Sequence, residues 1–166
     1  MAWQTEMTTL LRYVINDSES PEEFSDARLQ RLIVSSAQLT LGVVDFPNTY
    51  IVDVAASGIT PDPTAGTRDN GFINLVILKA ACLLATGDYR KSANKGLIVR
   101  DGPSSIDARS LVQSKRELME SLCKDYNEAE FEYRLGNSNA GEAILGPHRS
   151  NLTGGSTGTS NRTEFN

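Results

Sequence analysis

The side chains best suited to catalysis or metal binding are few and far apart in this chain of 166 residues. Its one histidine, His148, sits in a C-terminal stretch of Gly, Ser, Thr and Asn, so no imidazole cluster or Ser–His–Asp relay can be assembled on rigid elements. The two cysteines, Cys82 and Cys123, fall on apolar faces of predicted helices. Residues so placed are expected to be reduced core hydrophobes rather than a disulfide or a metal pair. A Cys123–His148 nucleophile pair is conceivable, but a buried thiol and a solvated imidazole are the plainer reading. Gly87-Asp88-Tyr89-Arg90-Lys91-Ser92 ends in Lys-Ser as a phosphate-binding loop does, yet lacks the first glycine at the required spacing and follows no strand. Asp62, Asp69, Asp101 and Asp107 stand at loops and helix starts, where capping accounts for them. A carboxylate pair for acid–base work or Mg²⁺ is the alternative. The expectation is a chain that is not an enzyme, with no catalytic residue, no cofactor and no metal.

Charge is more informative. The formal net charge of −5 argues against a general nucleic-acid binder, which needs a basic face to release counterions. An acidic wall can still line a conduit for DNA without gripping it. Arg68, Arg90, Lys91, Lys95 and Arg100 gather positive charge near the middle of the chain. Glu128, Glu130 and Glu132 gather negative charge near the end of the last predicted helix. Solvated surface explains each group alone; contact between copies, with Arg90, Lys91 and Lys95 facing Glu128, Glu130 and Glu132, would use both.

These groups have to be carried by a mainly helical fold. Residues 69–85, DNGFINLVILKAACLLA, form a helix start followed by a run that only Asn74 and Lys79 interrupt. A helix apolar nearly all round must be covered nearly all round. The run is expected to stop near Gly87 and to be too short and too interrupted for a membrane span. Phe72, Leu75, Leu78 and Leu83 are its expected core residues. Cover comes from a short amphipathic helix over Met7–Ile15, from a helix capped by Ser25 and ending near Gly42, and from a long helix over Ile106–Leu135. That last helix contributes Leu118 and Leu122 to the core, and Ser104 or Ser105 can cap its start. Tyr50–Val54 reads as a strand and Leu97–Val99 as its extended partner, with 55–68 as a surface loop. No signal peptide is legible at the start, so the sequons at Asn16, Asn151 and Asn161 are read as chance matches in a cytoplasmically made chain. Residues 1–135 form the expected helical domain and 136–166 an extended arm too polar to fold alone. Ala143-Ile144-Leu145 is the arm's one apolar cluster.

The order of these elements resembles the small helical head–tail adaptor (connector) proteins of tailed bacteriophages, which dock beneath the portal ring. The segments that carry the resemblance are LLRYVI, SDARLQRLIVSSAQL, DNGFINLVILKAACLLA and NKGLIVRDGPSSIDARSLVQSKRELMESL, spanning roughly Met7 to Leu122. The resemblance implies a structural virion protein: a homo-oligomeric ring, usually a dodecamer, between the portal and a tail or neck protein below. DNA would pass through the lumen without sequence-specific binding, and no membrane is involved. A C-terminal arm of such proteins commonly embraces the portal, which makes Ile144, Leu145 and Arg149 the candidate anchors. The long acidic last helix and the extended tail depart from shorter members. Alternatives are another neck protein, for head closure or tail completion, or a small helical enzyme or regulatory domain using loop carboxylates.

Overall fold

A computed structural model describes residues 3–95, 99–101, 104–106 and 109–136. In order these are α1 (Trp3–Ile15), α2 (Asp26–Leu41), β1 (Ile51–Asp53), β2 (Gly58–Thr60), α3 (Asn70–Lys95), β3 (Val99–Asp101), β4 (Ser104–Ile106) and α4 (Arg109–Gly136). The fold is mainly helical, as the apolar spacing predicts. Residues up to Phe131 form one compact unit; of the second, which begins at Glu132, only the end of α4 is described.

Helix α1 begins one turn earlier than the Met7 start expected from sequence, because Trp3 belongs to its apolar row. Trp3, Met7 and Leu11, four residues apart, are buried together. The helix ends in a Schellman arrangement: Asp17 N–H donates to the Arg12 carbonyl at 2.8 Å and Asn16 N–H to that of Tyr13 at 3.3 Å. Asn16 supplies the left-handed residue this cap requires, with φ of 57°. Helix α2 follows Ser25 as expected, although the Ser25 hydroxyl makes no capping bond. Its Leu29, Ile33, Ala37 and Thr40 follow helical spacing into the core.

The strand at Ile51–Asp53 finds a local partner. It pairs antiparallel with Gly58–Thr60, in register Ile51↔Thr60, Val52↔Ile59 and Asp53↔Gly58. The expected pairing with Leu97–Val99 is therefore wrong, and part of the stretch read as loop is strand. Closing a hairpin across a few residues costs less chain entropy than closing across the whole of α3. Asp53 Oδ1 accepts from Ala56 N–H at 2.8 Å, and Ser57 turns the chain with φ of 54°. Residues 97 and 98 lie outside the described residues; Val99–Asp101 pairs instead with Ser104–Ile106. Ser104 and Ser105 thus belong to a strand rather than a helix cap, and α4 starts at Arg109, not Ile106.

Helix α3 is the hub. Asp69 caps it as expected: Oδ1 accepts from Phe72 N–H at 3.0 Å, while Oδ2 accepts from the Tyr50 hydroxyl at 2.9 Å and from Asn48 Nδ2 at 3.0 Å. Phe72 stacks on Tyr50 with centroids 4.0 Å apart and meets Phe46 edge-on at 5.2 Å. One carboxylate thereby sets the helix start, the approach of the hairpin and the position of the largest fully buried side chain. Phe72 and Leu75 are buried as expected, but Leu78 and Leu83 are only half-buried. The helix does not stop near Gly87; it continues to Lys95. A lone helical glycine costs only about 1 kcal/mol relative to alanine, too little to end a helix whose first half is packed. Length therefore no longer argues against a membrane span, since Asn70–Asn94 is long and apolar enough to cross one. Within the fold 44% of that stretch is buried, its covered apolar side chains packing on α1 and α2.

Helix α4 runs antiparallel to α3, with Tyr126 near Lys79 and Cys123 near Cys82. The Lys79 ammonium lies 4.3 Å from the ring centroid of Tyr126, which is buried. Cys82 and Cys123 are joined in a disulfide with Cα atoms 4.6 Å apart, which overturns the expectation of two reduced thiols. Both cysteines do face apolar surroundings; what sequence concealed is that the two helices bring them face to face. Leu122 packs on the core as expected, whereas Leu118 is 57% exposed. Tyr126 and Cys123, rather than Leu118, define the face that α4 turns to α3.

The N-terminal turn of α1 hangs on Asp62. Its Oδ2 accepts from Trp3 N–H at 3.1 Å and its Oδ1 from the Thr64 amide at 2.9 Å and hydroxyl at 2.7 Å. Burial pushes the Asp62 pKa up, but the Thr64 and Trp3 hydrogen bonds outweigh it and leave the carboxyl below its ordinary value of 3.8. A depressed carboxylate contributes stability that is complete above the ordinary value and is lost as pH falls through the folded one. Acidification should therefore release Trp3, the sole tryptophan, and shift its fluorescence to the red. In Asp62→Asn that acid step should be missing, and an unchanged titration would show that Asp62 does not hold the turn.

Candidate functional site

The charged residues singled out from sequence occupy two helices. Arg90 and Lys91 are exposed on the second half of α3, and Lys95 is its last residue. Glu128, Glu130 and Glu132 lie on α4; Glu128 makes an ion pair with Lys124 at 3.4 Å, one turn back. Arg68 leaves the basic group, for it pairs with Glu6 and donates to Asn70 Oδ1 at 2.7 Å. The basic and acidic groups are not brought together within the described residues of one chain. Ile144, Leu145, Arg149 and His148 lie outside the described residues, as do Asp107 and the arm from 137 onward.

Sequence reasoning missed the most polar cluster in the interior. The Arg12 guanidinium, on the second buried row of α1, binds Asp17 Oδ2 at 2.7 Å, Asp26 Oδ1 at 2.6 Å and Glu22 Oε2 at 2.9 Å. It also donates to the Phe24 carbonyl at 2.8 Å. Asp17 in turn accepts from the Glu23 and Phe24 amides at 2.7 and 3.2 Å. The hydrogen bond to Asp26 contributes most to raising the Arg12 pKa, which keeps the group charged. The cluster ties the end of α1 to the start of α2 and pins the 16–25 connection between them. An arginine four residues before Asn-Asp in a stretch dense with acids is the only signal that sequence offered.

Beside this cluster, a polar groove of about 300 Å³ runs between α1 and α2, bordered by Gln4, Thr8, Arg12, Tyr13, Glu22 and Asp26. The second groove is apolar. It holds about 290 Å³ between α2 and α3, with Leu32, Leu83 and Leu84 at its base and Arg28 and Arg31 along α2. Gly87 lies in its wall, and a Cβ built there would meet nothing within 4 Å. Both arginines are exposed, as the spacing of α2 predicts. Arg28 lies over the Phe24 ring at 4.6 Å. Among the described residues, no group of three or more His, Cys, Asp or Glu side chains could hold a metal ion.

Comparison with protein-family models, curated proteins and solved structures returned no match. The functional reading therefore stands on the chain's own geometry and on the family resemblance of its sequence. What the geometry offers is two exposed surfaces of opposite character: an apolar groove edged by arginines and a long helix with an acidic outer side.

Proposed function

We propose that this chain is a structural component of a tailed-phage particle, a head–tail adaptor that forms a ring between the portal and a tail or neck protein. The observation that carries the reading is the order of elements. Two helices and a short hairpin lead into a central apolar helix, and an extended turn then leads into a long last helix. The helices and the extended piece before the last one follow the order on which the resemblance rests; the hairpin is additional to it. The basic end of α3 and the acidic α4 support contact between copies, which a ring repeats around its axis. The acidic balance suits a lumen through which DNA slides rather than binds. The arm at 136–166, with Ile144, Leu145 and Arg149, is the part proposed to reach the portal.

The disulfide bears on where the protein resides. Such bonds persist at virion surfaces and in other oxidising settings but are rare in a reducing cytoplasm. A protein made in the host cytoplasm and finishing in a released particle would meet both conditions. Another neck component, for head closure or tail completion, would share these features and differ in its docking site.

Electron micrographs of the purified chain, alone and mixed with portal, test the reading. Rings whose mass is a multiple of 18.1 kDa, seated on the portal, are expected. A strict monomer that ignores portal would remove the proposal. Deleting residues 136–166 should leave the helical fold intact by circular dichroism and abolish docking; undiminished docking would rule out the arm as the contact.

A further inference from the structure

We infer that the groove between α2 and α3 receives the outer face of α4 from a second copy of this chain, with Phe131 as the inserted side chain. This rests on the ring proposed above and moves the partner of Glu128 from the basic end of α3 to Arg28 and Arg31 on α2. The groove has an apolar base formed by Leu32, Leu83 and Leu84, and two arginines, Arg28 and Arg31, beside it. A pocket so built suits an apolar group with a carboxylate beside it. The outer face of α4 presents Phe131 one turn from Glu128. Glu120, Lys124, Glu128 and Phe131 follow one another at helical spacing on the side away from Tyr126, which faces α3. Phe131 is 65% exposed, so its ring is free to enter a groove.

Charge complementarity selects the occupant. The chain carries −5 overall, so an acidic helix meets repulsion over most of a neighbouring copy and attraction at the few basic places. Arg28 and Arg31 make no ion pair with a carboxylate among the described residues. They are therefore open to Glu128, which would exchange its exposed contact with Lys124, 3.4 Å away, for a guanidinium. A guanidinium beside the groove also favours an aromatic ring through its face.

Gly87 offers a way to block the groove. It is exposed in the middle of a helix, where glycine is unfavourable, and a side chain there would project into open space at the groove wall. A larger side chain there would narrow the groove without disturbing the packing of one chain.

The contact is not self-complementary, since groove and helix are different patches. It is a head-to-tail contact of the kind that closes into rings.

The test uses the full chain and measures mass by light scattering across a concentration series, with circular dichroism to verify folding. Arg28→Glu with Arg31→Glu should lower the association constant more than about tenfold, and so should Glu128→Arg, because each places like charges opposite one another. A chain carrying all three changes should recover association. Phe131→Ser should weaken it with the fold unchanged. Gly87→Gln should weaken it too, while raising the midpoint of thermal unfolding through helix propensity. Association that survives these changes, or a failure of the combined variant to recover, would overturn this contact. Rings persisting on the portal in that case would leave the adaptor reading intact. A parent chain that stays monomeric at every concentration also overturns the contact, and portal binding then decides separately whether the adaptor reading stands.

Discussion

Replacing Arg12 by Met should lower the free energy of unfolding by about 3–5 kcal/mol, the cost of leaving a buried charge without its partner. The three carboxylates around Arg12 do not contribute equally. Asp26 and Glu22 have side chains 68% and 52% exposed, so water replaces the guanidinium at little cost. Asp17 is different, with its side chain only 8% exposed. It would keep the Glu23 and Phe24 amides but lose the one cation it touches among the described residues. The loss should therefore fall mainly on Asp17, and the double change Arg12→Met with Asp17→Asn should recover a large part of it. Urea unfolding of the two variants measures this. A cost under about 1 kcal/mol for Arg12→Met would mean that the cluster is no more than a solvated surface pair. Loss without recovery in the double variant would instead place the cost on the Phe24 carbonyl, which also accepts from Arg12.

The second large effect is expected at Phe72. Truncation to Ala should cost about 3–5 kcal/mol, the range for removing a fully buried aromatic side chain. Its ring contacts both Tyr50 and Phe46, so the void cannot collapse without shifting the approach to the hairpin. Near-ultraviolet circular dichroism should weaken with stability, since the stacked pair is lost. Leu118→Ala is the contrasting change. That side chain is exposed, and its removal should stay within about 0.5 kcal/mol of the parent. Equal effects at the two positions would mean that the assignment of the core face is wrong.

How far the chain could be read without coordinates depended on whether the information was local. The apolar rows of α1 and α2, the Ser25 boundary and the Asp69 cap are short-range patterns, and each appears close to where spacing places it. Gly87 misled because glycine marks many helix ends, yet its propensity penalty is small beside the packing of the preceding turns. The partner of Ile51–Asp53 was misplaced because the turn between the strands, residues 54–57, contains no glycine and depends on an Asp53 side-chain bond that spacing does not reveal. Leu118 lies at helical spacing with Leu122 and Leu111, so its stripe suggested burial. Which side of a broad stripe meets α3 is decided by Tyr126 and Cys123, and that is tertiary information. The meeting of Cys82 with Cys123 was illegible for the same reason. The candidate surfaces divided likewise: charge clusters were visible along the chain, while the groove beside Arg28 and Arg31 exists only once α2 lies against α3.

The Cys82–Cys123 bond closes a covalent loop with a sequence separation of 41, and that loop contains the end of α3, the β3–β4 hairpin and the start of α4. The backbone between the two cysteines is therefore not the only connection between the two halves of the molecule. A protease that cuts at residues 96–108 would produce two polypeptides that still migrate as one without reductant and separate when a thiol is added. Continuity of the molecule would survive a broken peptide bond at that place, where an unbridged chain would come apart.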